Sequence, residues 1–291
     1  MTIYRFPNAT EANPVGYLSP TQVNEYRDCP CCYYLNRVLH APRYDTIHFA
    51  IGGGLHKAAE RIGRAMLTGK SIEMDEVVAV AAEEFEARVS LPLDDESQTE
   101  LLIDLGKYEQ IGEAKDATVR LSRLLSERLP KLFEARGLVA VEMDMSELPH
   151  ELLAAAFPFP VQGRMDHLYG NVDGGVHGMT DLKTSSKRGG PDENGSVQFA
   201  MYGLPVHMAG DDWMIGCDTL VKTVTPQLET YWANGTGRIS PEQYRAVRDI
   251  VLDVAGRISN GDFPVGKGWN GKHSYDHGLP AFSVAVRGFN E

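Results

Sequence analysis

Gly163-Arg164-Met165-Asp166 and Thr180-Asp181-Leu182-Lys183-Thr184 are the stretches of this chain best equipped to do chemistry. The two acids stand fifteen positions apart, and a lysine follows the second by two. Each acid sits in a short apolar run of the kind that forms a strand. Alternate residues of a strand share a face, so Asp181 and Lys183 point the same way. A hairpin between the two runs brings Asp166 beside them. Two carboxylates and an ammonium converging on one point make a hard-cation site with a charge stabiliser. A divalent cation held there acidifies water and neutralises charge on phosphorus, which is what phosphodiester hydrolysis needs. An isolated Asp-x-Lys is also an ordinary exposed ion pair. The apolar flanks and the upstream Gly-x-x-Asp favour the site.

Further candidates surround this pair. His56 follows Gly52-Gly53-Gly54 near the start of a helical segment, where glycines permit tight turning and close backbone approach. It reads either as a ligand or as a structural histidine. Gln198 and Tyr202 lie four apart on the helix after the Asp-x-Lys strand and share a face. They suit hydrogen bonding to a phosphate or to the metal-site strand, or plain helix-face polarity. Glu142 closes the strand before the hairpin, as an extra ligand or as a surface acid. Lys187 and Arg188 occupy a glycine-rich loop, residues 185–195, as phosphate contacts or loop charges.

The elements that must position these residues follow from periodicity and punctuation. Ser19-Pro20-Thr21-Gln22 is a helix start, with Ser19 as cap and Gln22 closing a capping box. That helix runs to Cys29-Pro30 and resumes through Leu39. Helices follow from Leu55 to about Thr68, from Glu73 to Val89, and from Glu100 to about Leu132. The last carries a stripe of Leu121, Leu124, Leu125 and Leu129. An acidic loop spans Pro92 to Gln98. Strand character then sets in: 138–143, a hairpin of 157–169 with 176–182, and a second hairpin of 213–224 with 227–232 turned at Thr225-Pro226. Helices are expected at 196–208 and, from a capping box at Ser240-Pro241-Glu242-Gln243, to about Ser259. The expected organisation is a lead-in (1–18), one α/β unit (19–260; helical over 19–135, core 136–260) and a tail (261–291) of loop with a short strand near Phe282–Val286.

Composition bounds the class. The 291 residues are 43% hydrophobic and 23% charged, ordinary for a globular chain with a sizeable core. No run approaches a membrane span, and the N-terminus lacks an apolar signal core, so a cytoplasmic protein is expected. The net charge of −12 argues against coating nucleic acid, yet permits an enzyme that grips a few phosphates. No Gly-x-Ser-x-Gly or Walker loop occurs. Cys29, Cys31, Cys32 and Cys217 are the cysteines. They read as reduced thiols or, less economically, as a metal site.

In order along the chain stand a Ser-Pro-Thr-Gln helix ending in Cys-Pro, Gly-x-x-x-His (52–56), Gly-x-x-Asp, Asp-x-Lys and Gln-x-x-x-Tyr. Together they resemble the RecB-like branch of the PD-(D/E)XK nuclease superfamily, over about residues 17–270. No single motif is decisive; five in the right order are specific. The resemblance implies an α/β restriction-endonuclease-like core, with a mixed sheet of four or five strands flanked by helices and a helical N-terminal half. It implies a Mg²⁺- or Mn²⁺-dependent deoxyribonuclease, an exonuclease in recombination, repair or phage DNA processing. His56, Asp166, Asp181, the Leu182 carbonyl and Glu142 are then metal ligands. Lys183 is the superfamily lysine, and Gln198 and Tyr202 the supporting helix motif. DNA is the implied partner, with a recombinase or single-strand annealing protein and self-association as further expectations. Rival readings are a non-catalytic DNA-binding subunit on the same fold and a structure-specific endonuclease. Some relatives hold an iron–sulfur cluster on one N-terminal and three C-terminal cysteines. No cysteine follows Cys217 here, so that cluster is not expected.

Overall fold

A computed structural model describes residues 16–39, 46–89, 105–189, 193–223 and 225–264. The acidic loop at 92–98, the start of the long helix at Glu100 and the strand near 282–286 lie outside these residues.

Proline and side-chain caps set the first helices. Ser19 caps α1 (Pro20–Asp28) through Gln22 N–H, and Gln22 returns the bond to Ser19 N–H. Pro30 breaks that helix, and Cys29 then caps α2 (Pro30–Tyr33) by accepting from Cys32 N–H at 3.1 Å. A π-helical turn, Tyr34–Val38, follows. Next come α3 (Ile47–Leu67), α4 (Met74–Val89) and α5 (Ile111–Arg136). The long helix thus begins at Ile111, and residues 105–110 ahead of it are turn and extended chain.

The glycine triplet is not a turn ahead of a helix. It lies inside α3, which places His56 mid-helix. The physical reason is close packing. A Cβ on Gly54 would lie 2.6 Å from the Ala81 carbonyl oxygen of α4 and 3.1 Å from Thr118 Cγ2 of α5. Each interior glycine costs a helix roughly 1 kcal/mol. Here it lets three helices approach around Leu55, Phe85, Leu121, Leu125 and Phe133, all buried. Burying each large apolar side chain contributes about 1.5–3 kcal/mol.

The sheet is built from β1 (Leu138–Asp144), β2 (Arg164–Tyr169), β3 (Gly178–Ser185), β4 (Met214–Val221) and β5 (Gln227–Trp232), in that spatial order. Pairing is antiparallel throughout except for β3 with β4, which are parallel. A parallel pair needs a crossover, and α7 (Glu193–Met208) supplies it. After α6 (His150–Ala156), residues 157–163, expected as the first part of the hairpin strand, are instead loop with one bridge from Val161 to Leu18. The final helix, α8 (Pro241–Ser259), starts at the expected capping box. Among the described residues the fold is therefore an α/β layered structure of eight helices and a five-stranded mixed sheet.

Two cores lie on opposite faces of this sheet. Phe133, Leu182 and Leu220 pack with α3, α4 and α5 on one. Met179, Ile215 and Cys217 pack with α1, α7 and α8 on the other. Even-numbered β3 residues thus face α3 and α5, while Asp181 and Lys183 face α7. Among the described residues no helix is long and apolar enough to cross a membrane.

Candidate functional site

Strand alternation on β3 delivers Asp181 and Lys183 to the α7 face, where Gln198 meets both. Gln198 Nε2 donates to Asp181 Oδ1 at 2.8 Å and to the Tyr202 hydroxyl at 3.1 Å. Its Oε1 accepts from Lys183 Nζ at 3.1 Å. The four-residue spacing of Gln198 and Tyr202 is thus a shared helix face turned onto the strand. Tyr202 also explains the glycine of Gly-x-x-Asp: a Cβ on Gly163 would lie 2.7 Å from Tyr202 Cε1.

Asp166 and Asp181 are 6% and 5% exposed, so little water solvates either carboxylate. Asp166 Oδ2 accepts the Leu182 backbone N–H at 2.6 Å and lies 3.4 Å from His56 Nδ1. His56 Nδ1 is also 4.0 Å from Glu142 Oε1. One ligand atom each from His56, Glu142 and Asp166 falls within 4.8 Å of the others. Glu142 reaches this group through a backbone irregularity, a φ of 52°. The left-handed conformation costs a non-glycine residue about 1–2 kcal/mol. It lets Val141 face Gly63 of α3 while Met143 packs toward the opposite core. Asp181 stands outside the His56 group and joins the site through Lys183 and Gln198.

Electrostatics agree with one crowded cluster. Burial raises the Glu142 pKa, and Asp166 adds to the rise. Burial and then Asp166 raise that of Asp181. Burial would raise Asp166 as well, but His56 and the Leu182 N–H bring it below the usual range. Burial would lower the His56 pKa, yet Asp166, Asp181 and Glu142 raise it to about 9. Burial would lower the Lys183 pKa, yet Asp181 and Asp166 together raise it above the ordinary value.

These residues fit a divalent cation. Asp181 Oδ2 is buried and accepts no hydrogen bond. Lys183 Nζ lies 2.5 Å away as its charge partner. The buried carboxylates of Asp166 and Asp181, with Glu142 and His56 beside Asp166, are an oxygen-rich donor set that suits a hard cation. Of the loop cations, Arg188 pairs with Glu229 at 3.2 Å, and Lys187 is exposed.

Sequence reasoning missed a second buried polar group, on the other face of the sheet. Asp218 of β4 is fully buried. It accepts from Arg136 at 3.2 Å, from Thr180 and Thr230 at 2.5 Å each and from Tyr169 at 3.3 Å. The available signal was an acid inside an otherwise apolar strand, since buried charge demands partners.

Residues 17–273 match the family described as the PD-(D/E)XK nuclease superfamily, and the chain belongs to it. Among solved structures, a putative exonuclease from Eubacterium rectale is similar: 12% identity, 91% of this chain and 89% of that chain covered, TM-score 0.47. No curated protein matches the sequence.

Proposed function

We propose that this chain is a Mg²⁺- or Mn²⁺-dependent deoxyribonuclease of the RecB-like branch, acting as an exonuclease in recombination, repair or phage DNA processing. The observation that carries the reading is the convergence of four donors and one lysine. His56, Glu142 and Asp166 cluster, and Asp181 joins them through Gln198 and Lys183. His56, Asp166, Asp181 and Glu142 would hold the cation. The Leu182 carbonyl would be a further ligand, as the family resemblance implies; the Leu182 N–H is turned to Asp166. Such a cation supplies Lewis acidity toward water and phosphate oxygens.

The chain's own groups do the rest. Gln198 fixes the direction of the Lys183 ammonium and of the Asp181 carboxylate. Lys183 stabilises negative charge building on the scissile phosphate and orients the attacking water. Tyr202 holds Gln198 from behind. DNA is the substrate and partner; a recombinase or annealing protein and self-association belong to the same reading.

The test is cleavage of linear and covalently closed circular DNA, with Mg²⁺, Mn²⁺ or chelator. An exonuclease consumes the linear form and spares the circle. Asp181→Ala should slow cleavage at least about a thousandfold, the scale of several kcal/mol of lost charge stabilisation, without unfolding the protein. Undiminished metal-dependent cleavage by a homogeneous preparation of that variant overturns the assignment.

A further inference from the structure

Where β3 runs out past Lys183, the chain borders a cavity of about 380 Å³ that does not contain the carboxylates. His48, Lys107, Thr184, Ser185, Ser186 and Lys222 line it. Its chemistry is the reverse of the cation site. Two lysines, three hydroxyls and an imidazole meet there, with no acid in the lining. Among the described residues neither lysine has a carboxylate within ion-pair distance, although the whole chain carries a net charge of −12. Elsewhere on this acidic surface cations pair: Lys57 with Glu60, Arg61 with Glu76, Arg188 with Glu229.

The pocket is also built rather than incidental. Lys222 N–H donates to the Ser185 carbonyl at 2.7 Å, which locks the end of β4 to the end of β3. Ser185 Oγ accepts the Lys187 N–H at 3.1 Å, which leaves its own proton free to donate. His48 is held edge-on against Tyr108, beside Lys107. His48 belongs to the first turn of α3, which contains no acidic residue, so the positive end of that helix adds to the field. Burial and the neighbouring charge of Lys107 both lower the pKa of Lys222, the signature of two cations sharing one space without a counter-ion.

We infer that Lys107, Lys222 and the Thr184–Ser186 hydroxyls form a subsite for a phosphate group of the nucleic-acid strand near the one being cut. The inference rests on the nuclease reading for its ligand. The pocket lies at the end of β3 on the α3 face of the sheet, and His48 stands eight residues, about 12 Å along the helix axis, from His56 of the cation cluster. A strand whose scissile phosphate sits at the His56–Asp166 group therefore reaches the pocket within a few nucleotides. The shared chemistry is a phosphate ester, borne either by the chain end or by the interior of the strand.

The test is binding, so that it stands apart from catalysis. Fluorescence anisotropy in chelator would compare oligonucleotides with a 5′-phosphate, a 3′-phosphate or hydroxyl ends, and a circular single strand. Lys107→Ala is the primary variant because its side chain is exposed, and Lys222→Ala is the second. Each should weaken binding about tenfold and reduce the salt dependence by about one counterion. Weakening of every DNA alike identifies an interior phosphate. Weakening confined to one phosphorylated end identifies a terminal phosphate. Both outcomes support the subsite; affinity and salt slope unchanged in both folded variants overturn it. Inorganic phosphate followed by ³¹P line broadening separates the two readings. Phosphate binding lost in Lys222→Ala by a protein that cuts no DNA keeps the subsite and sinks the nuclease. Cleavage-competent protein whose variants bind phosphate and DNA like the wild type sinks the subsite alone.

Discussion

The backbone N–H of Leu182 donates to Oδ2 of Asp166 at 2.6 Å. That same oxygen lies 3.4 Å from His56 Nδ1. One carboxylate oxygen therefore ties β2 to β3 and both to α3. The acid that opens the candidate site is at once a structural tie and a charge among charges, with Glu142 and Asp181 on either side.

Those two roles separate in Asp166→Asn. The amide oxygen can still accept the Leu182 N–H, while one of three crowded negative charges is gone. His56 and the Leu182 N–H hold the Asp166 carboxyl below its usual range, so its charge stabilises the fold, and metal-free Asp166→Asn should melt somewhat below the wild type. Mn²⁺ should raise the wild-type melting temperature, by about 2.7 kcal/mol of stabilisation at a hundredfold excess over its Kd. The variant should show little of that gain. Differential scanning calorimetry with and without Mn²⁺ reads both effects, and an equal metal-induced shift in the two proteins would remove Asp166 from the ligand set.

Gln198 bridges Asp181 and Lys183 without being a ligand itself. Gln198→Ala leaves a buried carboxylate oxygen without its donor and the ammonium without its guide. Losing such a supporting partner typically costs 10–100-fold in activity. The loss should fall on kcat, with KM for DNA within about threefold, because the amide orients groups that act in the transition state. A pure KM effect would mean that Gln198 contacts DNA instead.

Much of this site was legible beforehand because short-range rules governed it. Capping boxes at Ser19 and Ser240, strand alternation at Asp181-Leu182-Lys183 and the four-residue step from Gln198 to Tyr202 are local geometry. What escaped depended on distant chain. The glycines of α3 look like a turn until Ala81 and Thr118 are packed against them. The approach of Glu142 to His56 needs a positive φ inside β1, which no periodicity announces. Lys107 and Lys222 are 115 positions apart and meet only because the chain folds.

The glycine triplet offers a paired test of that packing. Gly52 has open space where a Cβ would go, whereas Gly54 faces the Ala81 carbonyl at 2.6 Å. Gly52→Ala should stabilise the protein by about 0.5–1 kcal/mol, through helix propensity and reduced unfolded-state freedom. Gly54→Ala should destabilise it by about 1–3 kcal/mol as α4 is pushed away. Urea midpoints at constant m-value decide the matter, and two changes of the same sign would contradict the packing account.

The buried group around Asp218 sets the acid limit of the fold. Burial alone would raise the Asp218 pKa; His167, Arg136 and Thr180 outweigh it and hold the carboxyl at about 2. A depressed carboxyl pKa contributes stability that is complete above the ordinary value of 3.8 and is lost as pH falls through the folded value. Asp218 should therefore withdraw on the order of 2 kcal/mol between about pH 4 and pH 2. Asp218→Asn should cost about 2–4 kcal/mol at pH 7, because it leaves the largely covered Arg136 guanidinium, between Tyr169 and Trp232, without its counter-charge. Other carboxylates titrate in the same window, so the difference between the two proteins is the informative quantity. It should shrink steadily from pH 4 downward in urea unfolding curves. A difference that stays constant to pH 2 would show that the Asp218 charge does not hold β4 to α5.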